Sequence, residues 1–134
     1  MATARAIRVA YDQRLAVYEL NLSQASVLAY LNQSGPLTQT QLADQLGLGR
    51  PATGTVIDAL ELRGLVQRQP DPGDRRVWMI AATRAGKEMV DAITAVDETL
   101  RGELRDGISR QDRQQLAQLL LRLQSNLAEI ISRE

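Results

Sequence analysis

The chain has 134 residues, enough for one compact domain and too few for two of full size. The hydrophobic fraction is 44% and Phe is absent, so we expect an aliphatic core built mainly from helices. The absence of Cys and His excludes thiol chemistry and removes the commonest general base and metal ligand. We therefore expect no enzyme, no metal and no cofactor. No apolar run approaches the roughly 20 residues of a membrane span, and no secretory signal is evident, so we expect a soluble, cytoplasmic protein.

The formal net charge is zero, but the charges are unevenly distributed along the chain. Residues 47–87 carry seven cations and four acids, whereas residues 88–134 carry six cations and nine acids. A local basic patch on a neutral chain is typical of a protein that touches a polyanion with one face.

Apolar spacing predicts two helices at the start of the chain. The first helix ends near Asn21, and Ser23 is placed to cap a second helix that runs to about Gln33. The predicted inward positions of the first helix are Ile7, Tyr11, Leu15, Tyr18 and Leu22. Those of the second are Val27, Leu28 and Leu31.

Two shorter helices follow, joined by a glycine-containing turn. Thr38 opens the third helix with Gln41 placed for a reciprocal capping box, and Gly47 occupies the position of a left-handed C-cap. The fourth helix is predicted to begin at Pro51 and to end at Gly64. Its predicted inward positions are Ala52, Val56, Ala59 and Leu60. Two amphipathic helices joined by such a turn predict a helix-turn-helix.

After Gly64 the apolar period changes from that of a helix to that of a strand. Segments 65–69 and 77–81 predict the two strands of a hairpin. The connection between them is rich in Pro, Gly and Asp and ends in Arg75 and Arg76. A hairpin with a basic tip directly after a helix-turn-helix predicts a winged helix. The fold class is therefore mainly α with a small β-hairpin wing.

Two longer helices complete the chain. Thr83 is placed to cap the first of them, and Gly107 and Ser109 separate it from the second. The last helix is apolar over so much of its circumference that we expect a second copy of the chain to cover part of it. The alternative is packing within a monomer. The candidate dimer-interface residues are Ile7, Leu116, Leu120, Leu123, Leu127 and Ile130.

Two surfaces are candidates for contact with double-stranded DNA. The second helix of a helix-turn-helix reads the major groove with its N-terminal turns, and arginines on a hairpin tip can enter the minor groove. In helical projection Arg50 and Gly54 lie opposite the predicted inward face, while Asp74 can hold a wing arginine in a bidentate pair. The alternative for both surfaces is a solvated set of polar side chains. The candidate DNA-contacting residues are Thr38, Arg50, Pro51, Thr53, Gly54, Thr55, Asp74, Arg75 and Arg76.

The three tyrosines could line a pocket for a small ligand, or simply lie at the edge of the core. They are Tyr11, Tyr18 and Tyr30. Two other functions stay open. A winged helix can dock a partner protein without any ligand response, and a small hydrolase would need two acids that converge, such as Asp97 with Glu98 or Asp71 with Asp74.

Four stretches of this sequence resemble the multiple-antibiotic-resistance regulator (MarR) family of bacterial winged-helix transcription factors. They are Leu37–Leu48, Leu60–Arg68, the wing Asp71–Arg76, and Thr83–Gly86. The resemblance covers about residues 5–132. It implies one MarR-type domain over 1–134, with a winged helix-turn-helix core over 23–87 and dimerisation helices over 1–22 and 88–134.

The resemblance also implies a mode of action. The expected protein is an obligate homodimer that binds inverted repeats, usually as a repressor, and that releases DNA when a small phenolic or anionic effector binds. Arg76 falls at the family's wing arginine and Asp74 at the aspartate that positions it. Pro51, Ala52 and Gly54 stand where the family often has Ser or Thr, which shifts base readout toward Arg50, Thr53, Thr55 and the wing.

Overall fold

A computed structural model describes residues 1–133, which form mostly helices and a small antiparallel sheet. In chain order the elements are α1 (Ala2–Leu15), a 3₁₀ turn (Ala16–Tyr18), α2 (Leu22–Ser34), β1 (Leu37–Thr38), α3 (Gln39–Leu46), α4 (Arg50–Leu62), β2 (Val66–Pro70), β3 (Trp78–Ala82), α5 (Arg84–Leu104) and α6 (Arg110–Ser132). The predicted fold class is confirmed. None of the described helices combines the length and apolar content that a membrane crossing requires.

The described chain forms two compact units, of which the first is Met1–Leu100 and the second begins at Arg101. The core of the first unit is aliphatic, as the composition predicts. Its largest fully buried side chains are Leu15, Leu28, Leu42, Ile57, Leu60, Ile80, Val27, Val66 and Thr53. In the second unit the large apolar side chains of α6 are exposed.

The junction between α1 and α2 differs from the prediction. α1 ends at Leu15, and Glu19 after the 3₁₀ turn adopts the left-handed conformation with φ of 57°. Asn21 rather than Ser23 caps α2, because its side chain accepts a hydrogen bond from the Gln24 amide and its own backbone amide donates to the Gln24 side-chain oxygen. The apolar spacing continues across this break, so periodicity alone did not reveal where the helix stops.

The helix-turn-helix forms largely as predicted. Both bonds of the Thr38–Gln41 capping box are present, and Gly47 has the left-handed φ of 68°. The reading helix α4 begins at Arg50, one residue earlier than predicted, with Gly49 as its N-cap.

The buried face of α4 is rotated from the predicted one. Thr53, Ile57 and Leu60 are buried, whereas Ala52 is exposed. Ile57 is the largest apolar side chain in the middle of this helix, and its burial stabilises far more than that of an alanine. Thr53 lies one turn before Ile57 and is carried into the core with it.

The sheet has three antiparallel strands in the order β1-β3-β2. Both hairpin strands begin one residue later than predicted, because the register pairs Pro70 with Trp78. β1 was not predicted: it is only two residues long and pairs Leu37 with Ile80 on the far side of β3. A strand of that length has no periodicity to detect.

The turn from β3 into α5 is held by Thr83. Its hydroxyl donates to the Gly64 carbonyl at 2.6 Å and accepts from the Gly86 amide at 3.2 Å, which confirms the predicted cap. Gly86 is buried against the backbone of Leu65, and a Cβ added at Gly86 would overlap the Leu65 carbonyl oxygen. The Thr83–Gly86 motif therefore lets α5 pack directly on the start of the wing.

Candidate nucleic-acid interface

The exposed face of α4 is centred on Pro51, Thr55, Asp58 and Leu62. Arg50 is exposed at the N-terminal end of the helix, where a groove-reading helix makes its base contacts. The Thr55 hydroxyl donates to the Pro51 carbonyl at 3.1 Å, which leaves its lone pairs and methyl group facing outward. Arg50 and Thr55 are therefore both accessible, and their contact with DNA stays a prediction.

The expected role of Thr53 in DNA contact is contradicted by its burial. Its exposed fraction is 0%, and its hydroxyl donates to the Gly49 carbonyl at 2.9 Å. A side chain with no accessible surface cannot bond a base. The error follows from the misplaced inward face, since a projection centred on the alanines puts Thr53 at the flank.

Thr53→Val is expected to lower the free energy of unfolding by about 1 kcal/mol, because the shape is kept while one partly buried hydrogen bond is lost. Operator affinity should not change. Urea denaturation and a DNA-binding titration measure the two quantities. The matched control is Thr55→Val, which makes the same chemical change on the exposed face and should weaken DNA binding without loss of stability. Equal losses of affinity in both variants would contradict this assignment.

Gly54 and Thr38 have structural roles in this part of the fold. The Gln39 side chain crosses from α3 and donates to the Arg50 carbonyl at 3.2 Å. A Cβ at Gly54 would lie 3.1 Å from Nε2 of Gln39, so the missing side chain makes room for Gln39. The Thr38 hydroxyl accepts from the Gln41 amide at 3.1 Å within the cap. The contribution of either residue to DNA contact stays a prediction.

The wing presents a guanidinium in a fixed direction. Asp74 accepts from Nε of Arg76 at 3.2 Å and from its Nη2 at 3.4 Å, the fork that the sequence suggested. The Arg76 side chain is nevertheless 91% exposed. Hydrogen bonds from the Arg76 side chain, and then from its backbone amide, lower the pKa of Asp74. Arg75 is exposed beside this pair.

The wing tip is closed by backbone bonds within a few residues. The Asp71 amide donates to the Val77 carbonyl at 2.8 Å, and the Val77 amide donates to the Asp74 carbonyl at 3.0 Å. These bonds bend the chain between the strands so that Arg75 and Arg76 project from the turn.

Arg68 on β2 is a further charged residue of this surface, and the sequence pattern indicates no role for it. Its guanidinium donates to Asp58 at 2.7 Å and to Glu61 at 2.7 Å, and both acids lie on α4. Partial burial alone would lower the pKa of Arg68, but the hydrogen bonds and charges of Asp58 and Glu61 outweigh it and raise the pKa. In the sequence this network corresponds to an arginine in a strand that follows two acids of the preceding helix, Glu61 by seven residues and Asp58 by ten.

The three tyrosines have different surroundings. Tyr18 lines a cavity of about 260 Å³ that includes Arg14 and Val96, whereas Tyr30 lines a different cavity of about 310 Å³ near Gln45. The Tyr11 hydroxyl donates to Asp97 at 2.6 Å. The role of the three tyrosines in binding a ligand stays a prediction.

A larger surface cavity, of about 460 Å³, lies beside the wing. It combines an aromatic ring, that of the half-exposed Trp78, with the charged groups of Arg68 and Glu61. Its residues are Gln39, Glu61, Arg68, Trp78 and Ile80.

The acids proposed for a hydrolase are engaged elsewhere. Asp74 holds Arg76, and Asp97 accepts from Tyr11. Among residues 1–133, no three carboxylates cluster closely enough to hold a metal ion.

The candidate dimer residues have different environments in the single chain. Ile7 on α1 is half-buried. Each α6 candidate is roughly half exposed: Leu116, Leu120, Leu123, Leu127 and Ile130. Their participation in an interface stays a prediction.

Known proteins resemble this chain in sequence and in fold. A sequence model of the MarR family matches residues 20–78, which span α2, the helix-turn-helix, β2 and the first residue of β3. A structure of CouR from Rhodococcus jostii RHA1 bound to p-coumaroyl-CoA is 29% identical, with a TM-score of 0.80 over 89% of this chain and 84% of CouR. A DNA complex of S. aureus MepR is 25% identical, with a TM-score of 0.85 over 93% of each chain.

The transcriptional regulator SlyA is also 25% identical, with a TM-score of 0.85 over 94% of this chain and 89% of SlyA. The resemblance stated from the sequence is thereby confirmed over the whole fold. Residues 20–78 match the MarR family, the fold of the chain is that of these proteins, and the matched proteins are regulators of transcription rather than enzymes, which together support a DNA-binding transcriptional regulator with a MarR-type winged-helix fold.

Proposed function

We propose that this protein is a repressor that binds a pseudo-palindromic operator as a homodimer and leaves it when a small effector binds. The observation that carries the proposal is the Asp74–Arg76 fork, which holds an exposed guanidinium at the tip of the wing. A preoriented guanidinium suits the narrow minor groove, where negative potential is concentrated. The MepR–DNA complex supports duplex DNA as the partner of this fold.

The assignment of DNA contacts follows from exposure. In each protomer Arg50, Pro51 and Thr55 on α4 would face the major groove, and Arg75 and Arg76 the adjacent minor groove. Two-fold symmetry would place two such helices about 34 Å apart, one turn of DNA, which implies an inverted repeat.

The homodimer is supported by the unburied apolar face of α6. Surfaces of this kind are rare on monomers and mark association sites. In our proposal residues 23–87 form the winged helix-turn-helix core, and residues 1–22 and 88–134 contribute the dimer contacts within a single MarR-type domain.

The effector response is supported by the CouR structure, which contains a bound aromatic thioester. In this chain the cavity beside the wing offers the Trp78 ring for stacking against an aromatic group. We therefore propose an aromatic or anionic effector.

Arg76→Ala is expected to weaken operator binding by about 1–3 kcal/mol per half-site, the size of one good groove contact. The operator is first selected from random duplex DNA, and affinity is then measured by fluorescence anisotropy. Arg84→Ala is the matched control, because Arg84 is also an exposed arginine paired with a carboxylate, that of Glu88. Equal affinities of Arg76→Ala and the parent protein would contradict the wing's role.

Salt dependence tests the class of partner. If the dimer neutralises roughly 6–8 phosphates, log K falls with log salt with a slope of about −5 to −7. A flat dependence, or selection that enriches no inverted repeat, would favour the protein-docking function instead.

A further inference from the structure

The exposed face of α4 carries two acidic side chains, which would be repelled by the phosphates of DNA. Asp58 and Glu61 lie on the helix that reads DNA, with side chains 69% and 42% exposed. Asp58 is near the centre of the outward face, beside Thr55 by helical projection. Free carboxylates at this place would repel phosphates and lose hydration as the helix entered the groove.

Arg68 on the neighbouring strand β2 pairs with both of these acids. Its two terminal nitrogens bond different acids, Nη1 to Glu61 and Nη2 to Asp58, and its backbone amide points to the second oxygen of Glu61 at 3.3 Å. The Arg68 side chain is only 26% exposed, far less than that of Arg76. Its guanidinium is therefore engaged by the protein rather than offered to solvent.

We infer that Arg68 is a positioning residue for DNA binding, which holds Asp58 and Glu61 in one ion-pair network and ties the reading helix to the wing. The network carries a net charge of −1 in place of the −2 of two free acids. The oxygens bonded at 2.7 Å are directed at Arg68 instead of the groove. The inference rests on the proposed function, since it concerns how this surface meets a polyanion.

The network also joins the two DNA-contacting elements. Asp58 and Glu61 belong to α4, while Arg68 lies in the middle of β2, two residues before the strand ends. A side chain that bonds both acids fixes the rotation of the helix relative to the hairpin. Arg68 therefore reduces the negative charge on α4 and also fixes the orientation of the hairpin relative to α4.

The test is a cycle of variants in full-length protein on the selected operator. Arg68→Gln should raise Kd about tenfold at low salt, because it releases two carboxylates on the DNA-facing surface. This loss should shrink at high salt, where exposed charges are screened. In the Asp58→Asn/Glu61→Gln background the same substitution should cost only about twofold, because no acids are left to hold.

Three other outcomes would overturn the inference. An equal cost of Arg68→Gln in both backgrounds would mean that Arg68 acts on DNA directly. A loss that persists unchanged at high salt would mean that it acts only through packing. Unchanged affinity would mean that it does not act on binding. Thermal unfolding verifies that each variant is folded, and Arg84→Gln controls for the loss of one arginine charge next to a carboxylate.

The failure of this inference is separable from that of the proposed function. If the parent protein binds the operator and Arg76→Ala weakens it, an unaffected Arg68→Gln removes the inference alone. If the parent protein binds no duplex at low salt, the proposed function fails and the inference fails with it.

Discussion

Replacing Gly86 with alanine is expected to lower the free energy of unfolding by about 3 kcal/mol, the upper range for an overpacked site. A Cβ at this position would overlap the carbonyl oxygen of Leu65 and press on its carbonyl carbon, and also on the Leu28 side chain. Backbone cannot rotate away as a flexible side chain can. The start of α5 would have to move away from Leu65. This movement would break the hydrogen bonds from Thr83 to Gly64 and Gly86.

Urea denaturation of the two proteins measures this change. Gly102→Ala is the matched control, because Gly102 is on the same helix with open space around its Cα. That substitution should stabilise by about 0.5–1 kcal/mol through helix propensity alone. A Gly86→Ala protein as stable as the parent would show that α5 does not pack on the wing in this way.

The double substitution Leu120→Asp/Leu127→Asp is expected to convert the proposed dimer into monomers and to abolish operator binding at ordinary protein concentrations. Both side chains are about half exposed in the single chain, so the fold of the protomer should not be affected. In a dimer they would put four unpaired carboxylates into an apolar interface. Burying each such charge costs several kcal/mol, more in total than a typical interface gains.

Sedimentation velocity gives the oligomeric state, and anisotropy gives the affinity for DNA. The control is Gln118→Asp/Ser125→Asp, which adds the same charges seven residues apart on the opposite side of α6 by helical projection. This control should stay dimeric. A dimeric Leu120→Asp/Leu127→Asp protein would place the interface elsewhere and remove α6 from it.

Leu120 and Leu127 belong to an apolar face of α6. Within α6, seven of the eight large exposed apolar side chains fall within an arc of about 120°, the width of a buried helix face. They are Leu116, Leu119, Leu120, Leu123, Leu127, Ile130 and Ile131. Leu121 is the one that falls outside.

Local signals were the predictable part of the fold. The Thr38–Gln41 box, the left-handed Gly47 and the Thr83 cap each depend on residues within a few positions of one another. Such interactions form from neighbours in sequence, so their pattern is visible before any tertiary structure exists. The Asp74–Arg76 fork belongs to the same class, since its partners are two residues apart.

The wrong or missing parts depend on competition between distant groups. Which face of α4 is buried is decided by how well Ile57 fits the core compared with the alanines, a question of volume that spacing does not answer. The left-handed Glu19 similarly interrupts an apolar pattern that reads as continuous. The Arg68 network exists only after β2 has docked beside α4, so its three members do not form a recognisable motif.

The local closure of the wing tip affects how the sequence of the tip can diverge between related regulators. Its turn is closed by backbone hydrogen bonds among Asp71, Asp74 and Val77, which lie close together in the sequence. Pro72, Gly73 and Arg75 are exposed between them. Duplicated genes could therefore exchange these side chains freely and acquire new target promoters, while the inherited scaffold kept its melting behaviour.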